Sequence, residues 1–224
     1  PYTGIRWADE PALAFAALLN EDPAFYAWER DPVMKADFER AFGKWSKRKK
    51  LTFKDDASRR HAMAQFLIER QIEVYREFRR FIREELGSSL PLSGINFKNA
   101  EAQSFIRETL DYVDNHSYYN HPAFPEGKAY YPPVKFTPRN PVAGGAPAMR
   151  DLAHSRIYGK PFTITETNYV APNPFRAAGG ALLGSFGNLQ DYDAIFRFAY
   201  SHRAKDLFRY RTMHYFDIVS DPAN

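Results

Sequence analysis

Apolar positions along the chain alternate between short runs and long helical stripes. Residues 11–19 (Pro-Ala-Leu-Ala-Phe-Ala-Ala-Leu-Leu) form a continuous apolar run that stops at Asn20, Glu21, Asp22 and Pro23. Such a run fits a strand buried on both faces, although periodicity alone leaves a helix open. From Ser58 to Leu86, Met63, Phe66, Leu67, Val74, Tyr75, Phe78, Ile82 and Leu86 recur at three and four residues. This spacing predicts a long amphipathic helix, with N-cap options at Asp55, Asp56 and Ser58 and a C-cap at Gly87. Leu90–Phe97 reads as a short strand, 99–110 as a brief helix, and Tyr112–Val113 as the start of a strand that stops at Asp114, Asn115 and His116. A Pro/Gly/Tyr-rich stretch from Tyr118 to about Pro147 is longer than an ordinary connection, which marks it as a functional or mobile loop. Ala148–Tyr158 reads as helix and Phe162–Thr165 as a strand ending at Glu166. Arg176–Gln190 follows as a helix weakened by Gly179, Gly180, Gly184 and Gly187, and Ala194–Tyr200 as a last strand.

Strands alternating with helices argue for a parallel sheet with helices outside it. Each predicted strand ends in a polar or ionisable residue: Glu21, Asn96, His116, Glu166 and His202. In such folds ligands bind beyond the carboxyl ends of the strands, so these five side chains are expected on one face.

Composition narrows the chemistry. The 224 residues contain no Cys, which removes disulfides, thiolate-held zinc, iron–sulfur clusters and a Cys nucleophile. Nothing approaches 18 consecutive apolar residues, so no membrane-spanning helix is expected. The net charge of +4 is local: residues 44–60 hold eight Lys/Arg against two Asp, more than the whole excess. A basic patch can bind nucleic acid. The plainer reading is a solvated loop leading into a helix, and the slightly acidic remainder of the chain argues against a nucleic-acid partner. His116, His121, His154 and His202 lack HExxH or facial-triad spacing, and no phosphate-binding glycine loop or GxSxG elbow is present. No metal or cofactor is therefore expected.

Two glutamates at strand ends suit glycoside hydrolysis, in which one carboxyl donates a proton and the other stays ionised to attack or to activate water. A glutamate at a strand end is more often merely solvated or capping. Glu21 and Glu166 gain weight from His116-Ser117-Tyr118: on extended backbone His116 and Tyr118 face the same side, and a tyrosine can donate to a carboxylate and hold it ionised. Tyr119, Phe124, Tyr130, Tyr131, Tyr169 and Phe175 offer faces on which sugars stack, or else pack the loop onto the fold.

Asn20-Glu21, His116-Ser117-Tyr118 and Ile164-Thr165-Glu166, with Pro1-Tyr2-Thr3-Gly4 through Ala14 before the first and Lys160-Pro161 before the last, resemble glycoside hydrolase clan A. The pattern is most similar to the cellulase-like family 5 and its uncharacterised bacterial relatives. The resemblance implies an α/β fold, a (β/α)8 TIM barrel, of which 1–224 would be a single catalytic domain carrying strands 4–8, incomplete at both ends, either as a segment of a longer chain or with its missing part supplied separately. It implies a retaining enzyme that cleaves β-glycosidic bonds in poly- or oligosaccharides. Glu21 would be the acid/base, Glu166 the nucleophile, Asn20 the contact to the sugar 2-hydroxyl, and His116 and Tyr118 the strand-6 pair. Asn96, Tyr119, Tyr169, Phe198 and His202 are further candidates for substrate binding. The last strand carries Phe196, Phe198 and Tyr200 where such enzymes commonly offer a tryptophan platform, so either one of these aromatics substitutes for it or the subsite is built differently. The alternative is a catalytically inactive barrel that binds carbohydrate. The compartment and oligomeric state are not legible, and only the resemblance suggests a secreted or periplasmic enzyme.

Overall fold

The computed structural model describes residues 4–97, 101–207 and 214–223. Positions 1–3 of the resembling stretch and 99–100 of the predicted helix lie outside these residues. Tertiary contacts divide the chain into two units, Pro1–Val113 and Asp114–Asn224.

The first unit is mainly helical. Helices α1 (Ala24–Arg30) and α2 (Pro32–Arg48) meet at Asp31, whose side chain accepts from the Val33 and Met34 amides, with Pro32 at the first helical position. Helix α3 (Asp56–Arg80) starts with a capping box in which Asp55 and Ser58 each bond the other's backbone N–H. It continues through a π-helical turn over Phe81–Glu85 and ends before Gly87, whose φ of +66° suits glycine. Met63, Phe66, Leu67 and Tyr75 are buried, as the periodicity predicts, but Val74, Phe78 and Leu86 remain exposed. The buried stripe instead runs through Gln71, whose amide is satisfied by Asp22 and the Ala24 N–H. Trp28, Phe42 and Trp45 of α1 and α2 close a core over Met63, Phe66 and Leu67. Burying each such side chain contributes roughly 1.5–3 kcal/mol.

The basic stretch 44–60 is not a loop leading into a helix. Lys44–Arg48 complete α2, and Arg59 and Arg60 lie within α3 near its start. Lys49 pairs with Glu69 at 2.7 Å, Arg59 with Glu39 at 2.5 Å, and Arg60 with Glu29. Much of the local charge is thus answered on the neighbouring helices.

The expected (β/α)8 barrel is not formed. The chain is a small α/β protein with a two-stranded sheet, β1 (Ala16–Ala17) parallel to β2 (Leu92–Ser93), and a three-stranded sheet in the order β3 (Val113–Tyr119), β4 (Phe162–Tyr169), β5 (Ala194–Arg197). The apolar run 11–19 is rich in alanine and pairs over only two residues, which are not buried on both faces. β2 is cut short by Gly94 and Ile95. A Cβ on Gly94 would lie 2.9 Å from the Tyr75 ring, and Ile95 has φ +51°, outside the β region. The Ile95 carbonyl is instead held by Arg107 at 3.0 Å. A short helix α4 (Ser104–Arg107) comes next.

In the second unit, α5 (Pro147–Ala153) precedes β4, and α6 (Ala178–Leu189) connects β4 to its parallel neighbour β5. β4 runs past Glu166 to Tyr169, so Glu166 sits within a strand and not at its end. Among the described residues no helix is long and apolar enough to cross a membrane.

The glycines of α6 divide by face. A Cβ on Gly179 would meet the buried Tyr169 ring at 2.6 Å, whereas Gly184 has nothing within 4 Å. Gly184→Ala is therefore expected to stabilise the protein by roughly 0.5–1 kcal/mol through helix propensity, and Gly179→Ala to destabilise it by steric overlap. Thermal unfolding of the two variants should show shifts of opposite sign.

Candidate active site

Strand β3 presents Asp114, His116 and Tyr118 on one face and Asn115 on the other, where Asn115 donates to Ser155 at 2.8 Å. The Asp114 carboxylate is fully buried and takes three donors from β4. Its Oδ1 accepts from the Thr163 hydroxyl and the Thr165 amide, each at 3.0 Å, and its Oδ2 from the Thr165 hydroxyl at 2.5 Å. Opposite β5 the register slips. Ile164 pairs with Ile195 and Thr167 with Arg197, so Thr165 and Glu166 together oppose the single residue Phe196. This is a β-bulge. Successive residues of a regular strand point to opposite faces, whereas here Thr165 and Glu166 both reach His116.

The donors can be assigned. The Thr165 hydroxyl has one proton and gives it to Asp114, so the 2.8 Å contact between Thr165 Oγ1 and His116 Nε2 requires Nε2–H as donor. In the neutral ring Nδ1 then carries the lone pair. Nδ1 lies 3.8 Å from Glu166 Oε2, and Tyr118 donates its hydroxyl to that same oxygen at 2.6 Å. Oε2 of Glu166 is thus held by the phenol. The Glu166 side chain is 22% exposed, enough to be reached.

Around this group the aromatics are sorted by face. The Tyr118 ring is edge-on to Phe216 at 5.2 Å, His121 at 5.8 Å and Phe198 at 6.2 Å. Phe124 and Tyr130 pack on each other and on His121. Tyr119 and Tyr169, expected to contact substrate, are instead interior. Both are buried with ring centroids 5.3 Å apart, and Tyr119 donates to the Arg139 carbonyl. The Tyr169 hydroxyl is buried without a hydrogen-bond partner, and burial pushes its pKa up to about 12. His202 does not reach toward Glu166. Its Nδ1 bonds Asp217 and its ring stacks on His214 at 4.3 Å. Burial, then the neighbouring His202, lowers the His214 pKa.

The first unit carries Asn20, Glu21 and Asn96. Glu21 adopts φ +51°, an uncommon conformation for a residue with a Cβ that costs about 1 kcal/mol or more. Neighbours hold it there. Asn96 Oδ1 accepts from the Glu21 amide at 2.8 Å, and Asn96 Nδ2 reaches Asn20 Oδ1 at 3.4 Å. The next residue, Asp22, accepts from the Tyr75 hydroxyl at 2.8 Å and from Gln71 at 3.1 Å. Burial, and then the Asp22 charge, raise the Tyr75 pKa. Asn96 is therefore buried as a backbone anchor for Glu21.

Asp114, Thr165, Phe216, His214 and Asp217 were not singled out by their sequence positions. Asp114 had a signal, since it continues the His116–Tyr118 alternation two residues earlier. Thr165 acts through a bulge that depends on strand pairing. His202, His214 and Asp217 each offer one ligand atom, an imidazole nitrogen or a carboxylate oxygen, within 4.8 Å of one another, a set able to hold a metal ion. Comparison with protein-family models, with curated proteins and with solved structures finds no match.

The assigned donor order is testable by long-range ¹H–¹⁵N NMR of the imidazoles. Neutral His116 is expected as the Nε2–H tautomer in the native chain and in Thr165→Ser, and Thr165→Val should shift it toward Nδ1–H. An unchanged tautomer in Thr165→Val would reverse the assignment.

Proposed function

We propose that the chain acts as a retaining glycoside hydrolase on β-linked poly- or oligosaccharides. The observation that carries this reading is the Tyr118 hydroxyl bound at 2.6 Å to Glu166, on a bulge that also seats Thr165 and His116. A carboxylate with one oxygen tied to a phenol and the other available is suited to attack an electrophilic carbon. The resemblance of the Asn-Glu, His-Ser-Tyr and Ile-Thr-Glu motifs to glycoside hydrolase clan A supports the same reading and supplies the second carboxyl.

In this reaction Glu166 attacks the anomeric carbon, and the departing glycosidic oxygen takes its proton from Glu21. A covalent glycosyl ester forms on Glu166. Glu21, now ionised, removes a proton from water as the water oxygen attacks the same carbon, and the Glu166 carboxylate is regenerated. Two inversions retain the β configuration. Asn20 donates to the sugar 2-hydroxyl, and Phe198 with the rings around Tyr118 offers apolar surface to the sugar. The Tyr118 hydroxyl, bonded to Oε2, orients the Glu166 carboxylate for attack.

Hydrolysis of β-linked oligosaccharides and aryl β-glycosides tests the reading. Glu166→Gln is expected to lower turnover by roughly 10³-fold or more. Glu21→Ala should lose activity on oligosaccharides yet keep it on aryl glycosides with good leaving groups, and added azide should yield the β-glycosyl azide. Near-normal turnover by Glu166→Gln would remove Glu166 as nucleophile. Oligosaccharide binding by the native protein with no product would leave a carbohydrate-binding protein in place of an enzyme.

A further inference from the structure

We propose that His202, His214 and Asp217 form a binding site for one divalent transition-metal ion, with zinc the ion that fits the donors best. The inference does not depend on the reaction proposed above. Asp217 is 1% exposed, and a carboxylate so withdrawn from water needs a cationic or hydrogen-bonded partner. A pair of imidazoles faces it. His202 bonds Asp217 Oδ1 through both its backbone N–H, at 3.1 Å, and Nδ1. His214 Nδ1 lies 3.6 Å from the same oxygen and is buried with no hydrogen-bond partner. That separation is too long for a hydrogen bond. It is close to the roughly 3.4 Å that separates two ligands of one tetrahedral zinc at bond lengths of about 2.0–2.2 Å. A hydrogen-bonded pair alone accounts for His202 and leaves His214 Nδ1 unexplained, whereas an ion shared by the three donors accounts for both.

The donor set indicates the ion. Two imidazole nitrogens and one carboxylate oxygen suit zinc and its borderline neighbours, and suit calcium and magnesium poorly, since these prefer all-oxygen shells. Three protein ligands leave a position for water or another ligand. Both histidine side chains are 28% exposed, so an ion can enter from solvent. The stacked rings, 29° from parallel, place both Nδ1 atoms toward Asp217, and a small rotation of His202 that releases its proton to solvent opens the site. Bound there, the ion would tie His202, which lies beyond β5, to the C-terminal segment that carries His214, Phe216 and Asp217.

The test is a titration of the metal-free full chain with zinc sulfate, read by calorimetry and thermal unfolding. Cobalt(II) serves as a second probe, since a tetrahedral site gives intense visible absorption. One zinc per chain is expected, with a raised unfolding temperature and a four-coordinate cobalt spectrum. His214→Ala should weaken zinc binding at least 30-fold while leaving far-ultraviolet circular dichroism unchanged. Asp217→Asn should weaken it as strongly, and if that buried change prevents folding, His214→Ala and His202→Ala carry the test. No binding by the native chain, or binding that His214→Ala leaves unchanged, overturns the proposal. Weak binding of several ions per chain would mean adventitious surface binding and overturns it equally.

Discussion

The buried Asp114 carboxylate is the constraint on which the candidate site rests. A charge withdrawn from water is tolerated only where donors surround it, and here two threonines of the adjacent strand supply three donors. That requirement fixes the rotamers of Thr163 and Thr165, holds the bulge in place, and consumes the one proton of the Thr165 hydroxyl. His116 must then donate from Nε2, and its ring is oriented from behind. Glu166, the next residue on the bulged strand, meets His116 and Tyr118 on the same face. Glu166 is thus positioned by a chain of short polar contacts inside the sheet.

Glu21 is held by different means. It lies in a turn, and its left-handed backbone is stabilised by groups that satisfy the polar atoms around it. Asn96 anchors its amide, while Gln71 and Tyr75 of α3 anchor the neighbouring Asp22. These two α3 side chains belong to the stripe that also buries Met63, Phe66 and Leu67. The helix therefore does two tasks with one face, packing the core with its first half and clamping the turn with its second.

Alternation along the strands decides which aromatics are available. Tyr118 and Tyr119 are neighbours in sequence, yet one bonds Glu166 and the other stacks on Tyr169 in the interior, where Gly179 leaves room for that ring. Phe198, just beyond β5, and Phe216 of the C-terminal segment lie beside Tyr118. Aromatic rings and the Glu166 carboxylate therefore lie side by side around the Tyr118 hydroxyl.

The sequence by itself determined the local elements and the residue types that carry chemistry. The stripe in α3, its capping box, the glycine after it, and the facing of His116 and Tyr118 were all legible, because each depends on side-chain direction within a few residues. It did not determine how strands pair. An Ala-rich run that reads as a buried strand pairs over two residues only, a left-handed Ile95 ends its partner, and two small sheets stand where a barrel was expected. Helix α2 was missed because Val33 and Met34 face solvent and blur the apolar period. The bulge at Glu166, the burial of Tyr119 and Tyr169, and the meeting of His202 with His214 and Asp217 were also decided in three dimensions. Periodicity reports which way a side chain points from its own backbone. Its eventual neighbours depend on register and on packing between segments far apart in the chain, which no local pattern encodes.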